Sequence, residues 1–219
     1  MSIAENLNHI KTQLPEGVTL VAVSKTKPVS DLMEAYDAGQ RIFGENKIQE
    51  MVSKHEEMPK DIQWHMIGHV QRNKVKYMAP FVSCIHGVDS LRLLEEINKQ
   101  ALKHQRQINC LLQIKIAKED SKFGMPLEEA VAVLESKAYA ECGNVSIIGV
   151  MGMATFTSDT NIIKSEFDYL KHCFDKLKND QPHFNTISMG MSGDYQLAIE
   201  CGSTMVRIGS HIFGARHYS

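Results

Sequence analysis

The sequence lacks the segments that direct a protein to a membrane or out of the cell. Its apolar runs are short, and even Val145–Val150 is interrupted by a serine and a glycine, whereas a bilayer span needs about 20 apolar residues. Met1–Leu14 carries polar residues throughout and has no apolar core of the kind that marks a signal peptide. We therefore expect a cytoplasmic protein with no membrane partner.

A clustered excess of basic residues is also missing. The chain has 24 Lys and Arg against 26 Asp and Glu, which gives a formal net charge of −2 at pH 7. This balance argues against a nucleic-acid partner. Prolines number only six, and no Pro/Ser-rich linker or low-complexity tract divides the chain of 219 residues, of which 43% are apolar. We expect a single domain over residues 1–219, built around one sizeable core.

The sequence has few cysteines, and their spacing does not indicate disulfide or metal-binding pairs. The five are Cys84, Cys110, Cys142, Cys173 and Cys201, an odd number without a C-x-x-C pair. A disulfide framework or a zinc ribbon would need a different spacing. We expect reduced, mostly buried thiols, as in a cytosolic protein.

Strand-like and helix-like segments alternate along the chain. The eight strand signals are Leu20–Ser24, Arg41–Asn46, Ile62–Gly68, Cys84–Val88, Cys110–Ile116, Ser146–Met153, Thr186–Met191 and Met205–Gly209. Helical patterns lie between them, most clearly at Ser90–Gln105 and Asn161–Leu177, and one precedes them at Ser2–Leu14. Such alternation predicts βαβ units and a parallel sheet.

Eight strands favour an α/β protein of the (β/α)8 TIM-barrel class. Few residues follow Gly214, so the N-terminal helix is expected to take the place of a short eighth helix. The alternative is an open doubly wound sheet, which would carry a glycine-rich phosphate turn after its first strand. That position reads Val-Ser-Lys-Thr-Lys-Pro, so the barrel is preferred.

The first strand ends on a lysine that shares a face with Val21 and Val23, because side chains alternate along a strand. Lys25 is thus expected to point into the barrel mouth, where active sites of this class lie. Burial among apolar neighbours would lower the pKa of its amine, and a neutral amine can form a Schiff base with a carbonyl. The alternative is a lysine that merely ends the strand and extends to water.

Other strand ends are polar as well. Asn46 ends the second strand, His65 lies on the third, Ser188 and Ser192 share a face of the seventh, and Arg207 lies on the eighth. The segments after the seventh and eighth strands contain Ser192, Gly193, Gly209 and Ser210, and in TIM barrels these two loops often bind phosphate. A phosphate site combined with a buried lysine describes a phosphorylated aldehyde, pyridoxal 5′-phosphate.

The chain resembles the pyridoxal phosphate homeostasis proteins, which are single-domain relatives of the alanine racemase barrel (fold type III of the pyridoxal phosphate proteins). The resemblance covers nearly the whole chain and rests on six blocks. These are Ala22–Lys25, Phe43–Glu50, Trp64–Lys74, Ser121–Gly124, Ser188–Asp194 and Gly202–Gly214.

The resemblance implies roles for individual residues. Lys25 would hold the cofactor as an internal aldimine, with Asn46 and His65 near the ring. The phosphate would lie against four residues, Ser192, Gly193, Gly209 and Ser210. Ser188, which shares a strand face with Ser192, is also expected to contact the cofactor. Arg207 would face the pyridine nitrogen, although the phosphate is a second partner that suits an arginine. A cation beside that nitrogen disfavours its protonation and weakens the ring as an electron sink. Lys47 and Lys74 are secondary candidates for a Schiff base and are expected to be exposed.

Function is expected to be homeostatic rather than catalytic. Alanine racemase uses a tyrosine base from a second β-rich domain, which we do not expect here, and Tyr195 more plausibly begins a helix. The resemblance points to a protein that buffers pyridoxal phosphate or delivers it to apo-enzymes that require it. We expect a monomer or weak homodimer. The first alternative is a racemase or lyase of low turnover. The second, a metal-dependent hydrolase using His65 and His69, is disfavoured because no acidic residue lies between them in a zincin pattern and one strand cannot carry both into a single site.

Overall fold

Eight parallel strands close into a barrel. In the computed structural model, which describes residues 1–117, 123–178 and 183–215, the strands follow one another around the barrel in chain order. They are β1 Thr19–Val23, β2 Ile42–Glu45, β3 Gln63–Met66, β4 Cys84–Val88, β5 Ile108–Gln113, β6 Val145–Met151, β7 Thr186–Met191 and β8 Met205–Ile208. The barrel closes where β1 pairs with β8, with Val21 opposite Arg207. The predicted (β/α)8 class and all eight strand signals are confirmed.

Helices surround the barrel. They are α1 Ile3–Gln13, α2 Val29–Asp37, α3 Ile48–Glu57, α4 Val75–Met78, α5 Leu91–Lys103, α6 Leu127–Glu135, α7 Lys137–Ala140, α8 Thr160–Leu177, α9 Tyr195–Glu200 and α10 Ser210–Phe213, with a 3-10 turn at Arg72–Lys74. None of the helices in the described ranges is both long and apolar enough to span a bilayer.

The N-terminal helix fills the space beside the short α10. Ser2 starts α1 with a capping box, in which its hydroxyl accepts from the Glu5 N–H while the Glu5 carboxylate accepts from the Ser2 N–H. The Asn6 amide then donates to the Ile212 carbonyl of α10 at 3.1 Å, and the Ala4 N–H donates to the Glu34 carboxylate of α2 at 3.1 Å. The prediction that this helix takes the place of a full eighth helix is confirmed.

Alternation along the strands produces an outer and an inner core. Outward-facing residues such as Ala22, Phe43 and Trp64 are fully buried beneath the helices. Inward-facing residues form separate clusters inside the barrel, one around Val21 and Met205. A second inner cluster contains Cys84, Leu111 and Met151. Val23 packs against the first of these clusters, and Lys25, two residues further along, lines the cavity at the barrel mouth.

The cysteines behave as apolar side chains. All five are free thiols, and four are buried while Cys142 is partly exposed. Burial alone raises the pKa of Cys84 to about 12, which keeps it protonated near neutral pH. Reduced, mostly buried cysteines were expected, and the structure confirms them.

Gly149 of β6 provides a test of the barrel packing. A Cβ at this position would lie 1.8 Å from the Thr186 carbonyl oxygen of β7, whereas a Cβ at Gly143 would meet no atom within 4 Å. We predict that Gly149→Ala lowers the free energy of unfolding by about 3 kcal/mol, since the adjoining strand has to move. Urea denaturation of both variants measures this. Equal stability of Gly149→Ala and Gly143→Ala would contradict the packing described.

Candidate functional site

A cavity of about 630 Å³ opens at the carboxyl ends of the strands. Seven of the nine residues predicted as cofactor contacts line it: Lys25, Asn46, Ser192, Gly193, Arg207, Gly209 and Ser210. They come from four separate segments of the sequence, and barrel closure is what brings them together. The cavity is of the size that binds a small ligand.

Lys25 reaches this cavity from a tight turn at the end of β1. The Ser24 carbonyl accepts from the Lys27 N–H at 3.1 Å, so that Lys25 and Thr26 are the two central residues of the turn. Thr26 has φ +63°, a left-handed conformation that costs a β-branched residue about 1–2 kcal/mol. The side chain of Lys25 is partly buried.

A chain of polar side chains runs through the barrel interior to Arg207. Nδ1 of His65 lies 3.0 Å from Nε2 of His86, and Nδ1 of His86 lies 3.0 Å from the Ser188 hydroxyl. Arg207 donates to that hydroxyl at 2.6 Å and to the Gly152 carbonyl at 3.1 Å. All four side chains in this hydrogen-bonded series are nearly or completely buried.

The donors and acceptors of these side chains fix which group donates in each hydrogen bond of the series. An arginine can only donate, so the Ser188 oxygen accepts from Arg207, and its own proton has an acceptor within the chain only at Nδ1 of His86. His86 then carries its proton on Nε2 and donates to His65. Both imidazoles are neutral, because burial lowers the pKa of His65 to about 4 and holds the pKa of His86 well below its ordinary value.

Arg207 remains the charged member of the chain. Burial lowers its pKa to about 10, and the nearby Asp194 opposes that shift, so the guanidinium stays protonated at neutral pH. Two of its nitrogens are held by Ser188 and Gly152. The cavity therefore has a fixed cation in its wall.

His65 and Ser188 lie deeper than predicted. Neither lines the cavity, because the part of each strand segment that lines it begins two or more residues later. Both instead belong to the buried series of hydrogen-bonded side chains beneath the cavity. His86 was missed, although Cys84 and His86 alternate in phase along β4, and this alternation was the signal that could have placed the histidine inside.

The segments after β7 and β8 offer donors to an anion. The Ser192 hydroxyl accepts from the Gly209 N–H at 3.3 Å. Among the residues the structure describes, none accepts from the backbone N–H of Gly193 or Ser210. A Cβ on Gly209 would approach the Val23 carbonyl to 3.0 Å, so glycine permits the close approach of the two strand ends.

The cavity lining is positively charged. Lys25, Lys27 and Arg207 line it, and Asp194 is the single acidic residue among the described lining residues. Lys27, which the sequence analysis did not select, donates to the carbonyls of Phe213 and Ala215 at 2.7 and 3.0 Å. An amine, unpaired N–H groups and fixed cations together fit a phosphorylated aldehyde such as pyridoxal phosphate.

The interior also places His65, Cys84 and His86 close together, with ligand atoms within 4.8 Å of one another. Both ring nitrogens of His86 are already hydrogen-bonded, and the Arg207 cation lies at the end of the same chain. A metal ion would have to displace those bonds beside a buried positive charge. Hydrogen bonding thus accounts for the two histidines, and Cys84 packs in an apolar cluster with Leu111 and Met151.

Several other predicted residues lie apart from the buried polar side chains. His69 lines the rim of the cavity, where it is exposed, stacks on Phe123 and lies 3.4 Å from an Asp89 oxygen. Lys47 is exposed as expected, whereas Lys74 is half-buried in the 3-10 turn. Ser121 and Lys122, which belong to one of the resemblance blocks, lie outside the described residues.

Comparisons with known proteins agree across the whole chain. Residues 1–217 match the model of the alanine racemase N-terminal domain. The pyridoxal phosphate homeostasis protein of Vibrio alginolyticus is 40% identical, over 100% of this chain and 99% of the relative. The protein of that name from Escherichia coli is 39% identical, over 99% of this chain and 98% of the relative.

Solved structures lead to the same group. PipY of Synechococcus elongatus, 34% identical, superimposes with a TM-score of 0.90 without pyridoxal phosphate and 0.88 with it bound, over 97% of this chain and 100% of PipY. An alanine racemase from E. faecalis has a TM-score of 0.78 at 17% identity, over 98% of this chain and 58% of the racemase. The racemase shares the fold.

The buried histidines predict an acid-sensitive fold. The folded-state pKa of His65 is about 4, below its ordinary value of 6.5. The unfolded chain therefore binds more protons between these values, so stability present above pH 6.5 is lost as the pH falls towards 4. For His65 alone the loss approaches about 3 kcal/mol, and His86 adds to it in the same direction.

Urea denaturation between pH 7.5 and pH 4 measures this loss. His65→Gln should flatten the dependence of the unfolding free energy on pH, whatever its effect at pH 7.5. His172→Asn, which changes an exposed histidine of α8, should leave the slope as in the wild type. Parallel profiles for wild type and His65→Gln would contradict the assignment of a neutral buried His65.

Proposed function

We infer that this chain, which belongs to the alanine racemase N-terminal domain family and within it to the pyridoxal phosphate homeostasis proteins, binds pyridoxal 5′-phosphate in the cavity at the carboxyl ends of its strands. We further propose that Lys25 holds the cofactor covalently, and that the protein buffers it or delivers it to apo-enzymes. The proposed setting is the cytoplasm, in agreement with the five free thiols. The proposed unit is a single domain over residues 1–219, as a monomer or weak homodimer.

One observation carries this proposal: the same cavity contains a lysine amine and two serine-glycine segments whose Gly193 and Ser210 N–H groups have no acceptor among the described residues. When bound, pyridoxal phosphate supplies an aldehyde carbon that an amine can attack. Lys25 is the candidate amine, while the Ser192–Gly193 and Gly209–Ser210 segments would bind the phosphate. The bound cofactor in PipY, at 34% identity, supports this choice of ligand.

Arg207 is proposed to lie beside the pyridine nitrogen. Its guanidinium is protonated, nearly inaccessible to water and tied to Ser188 and Gly152. A fixed cation there keeps a proton off the ring nitrogen, and this makes the ring a weaker electron sink. Such a site suits holding the cofactor better than turning over amino acids.

The cavity also supports a role other than racemisation. Racemisation by two bases needs a proton-transfer group on each face of the substrate carbanion, and no tyrosine is among the described residues that line the cavity. Tyr195 begins α9, as expected, and its hydroxyl donates to Gln13 of α1. The names of the curated relatives, which are homeostasis proteins, agree with a non-enzymatic role.

Covalent binding at Lys25 is tested by trapping. Purified protein is incubated with pyridoxal 5′-phosphate, its visible absorption is recorded, and borohydride is added before peptide mass spectrometry. We predict a visible band and a pyridoxyl group on Lys25 in the wild type. Lys25→Ala should lose at least about 90% of both, because Lys25 supplies the reacting amine.

Lys47→Ala is the matched control, since Lys47 is an exposed lysine next to Asn46 and its loss should change neither readout. Circular dichroism of Lys25→Ala should match that of the wild type, because a half-buried lysine in a turn adds little to the core. Equal trapping in Lys25→Ala and wild type would exclude Lys25 as the attachment site.

A further inference from the structure

The residues on both sides of Lys25 are held by charged side chains from β2 and α3. Lys54 donates from Nζ to the Ser24 carbonyl at 2.8 Å. Glu45 accepts from the Ser24 hydroxyl at 2.6 Å, and Glu50 accepts from the Thr26 N–H at 2.6 Å. Each neighbour of Lys25 in the chain is thus bonded to this group.

The three charged side chains also bind one another. Nζ of Lys54 lies 2.7 Å from Oε1 of Glu45 and 2.7 Å from Oε1 of Glu50. We call Glu45, Glu50 and Lys54 the turn clamp. Its single ammonium bonds the Ser24 carbonyl and also both carboxylates that bond the turn, so Lys54 connects all the clamp's contacts with the turn.

Stability alone is a poor explanation for the turn clamp. The side chain of Lys54 is 7% exposed and that of Glu45 is fully buried, and burying an ion pair gains little over packing apolar residues. Desolvation is the largest influence on Glu45 and raises its pKa, and its Oε2 has no partner among the described residues. A buried carboxylate of this kind destabilises a protein core. Its presence is explained if the turn conformation that the clamp holds is needed for function.

The conformation that it holds is strained. Thr26 is in the left-handed region at φ +63°, where glycine is the usual residue of such a turn. The bond from its N–H to Glu50 keeps it there. This strain lies one residue after Lys25, which lines the cavity, and local strain held by its surroundings is typical of functional sites.

We propose that Lys54 and Glu50 are positioning residues, which fix the turn so that the Lys25 amine is placed to react with pyridoxal phosphate. The inference rests on the proposed function of the cavity. In the reaction the amine nitrogen forms a C=N bond to the aldehyde carbon, and the aldehyde oxygen leaves as water with two protons from the ammonium, the third going to solvent. The turn clamp touches no reacting atom and acts through the turn.

The test compares two ligands on the full-length chain. Pyridoxal 5′-phosphate can attach to Lys25, whereas pyridoxine 5′-phosphate has an alcohol in place of the aldehyde and can only bind. We expect Lys54→Met to slow attachment, measured by borohydride quenching, by about tenfold or more, since small misplacements of a reacting group are costly. Its affinity for pyridoxine 5′-phosphate, measured by calorimetry, should stay within about twofold of wild type, because the phosphate segments are not bonded to the clamp.

Three variants make the outcome specific. Lys54→Arg, which keeps the charge, should recover part of the rate. Glu50→Gln should slow attachment several-fold, and it carries the test if Lys54→Met does not fold, because the Glu50 side chain is 24% exposed. Lys164→Met removes an exposed ion pair of α8 with Asp168 and should behave as wild type.

The possible failures can be told apart. If the wild type does not attach pyridoxal 5′-phosphate at Lys25, the proposed function fails. If the wild type attaches it and Lys54→Met and Glu50→Gln react at the same rate, only the positioning role fails. An equal loss of attachment and of pyridoxine 5′-phosphate affinity would overturn the inference as well, because the clamp would then be supporting the whole cavity.

Discussion

Closure of the parallel sheet is the constraint on which the rest of this structure depends. Once β1 pairs with β8, every second strand residue faces an enclosed interior that has to be filled by side chains. Val21, Met205 and their neighbours fill it with apolar atoms. Polar side chains in this interior cannot hydrogen-bond to water, so they must hydrogen-bond to one another. The chain from His65 to Arg207 follows from that requirement.

The same closure separates two uses of polar residues. Those deep in the barrel pair among themselves, and their imidazoles stay neutral. Those at the carboxyl ends, including Lys25 and the serine-glycine segments, face the cavity. Arg207 belongs to both groups, because it is held from below and lines the cavity. A buried network can thus orient a cavity residue without taking part in its chemistry.

Much of this was readable from the sequence, but not all of it. Apolar alternation located the eight strands and the inward face of Lys25, since both depend on local period. Alternation predicts which face of a strand a residue occupies, but not how deep in the barrel it lies. The sequence therefore predicts that His65 and Ser188 contact the cavity, although they lie beneath it. The i,i+4 spacing of Glu50 and Lys54 is common on exposed faces of helices, and only the fold shows that Lys54 is buried against Ser24.

A crystal structure of the protein with pyridoxal 5′-phosphate would test the central claim most directly. The account predicts continuous density from Nζ of Lys25 to the cofactor, with the phosphate against the backbone N–H groups of Gly193 and Ser210. It also predicts that Arg207 keeps its bonds to Ser188 and Gly152. Density joined to another lysine, or a phosphate bound away from those N–H groups, would contradict it.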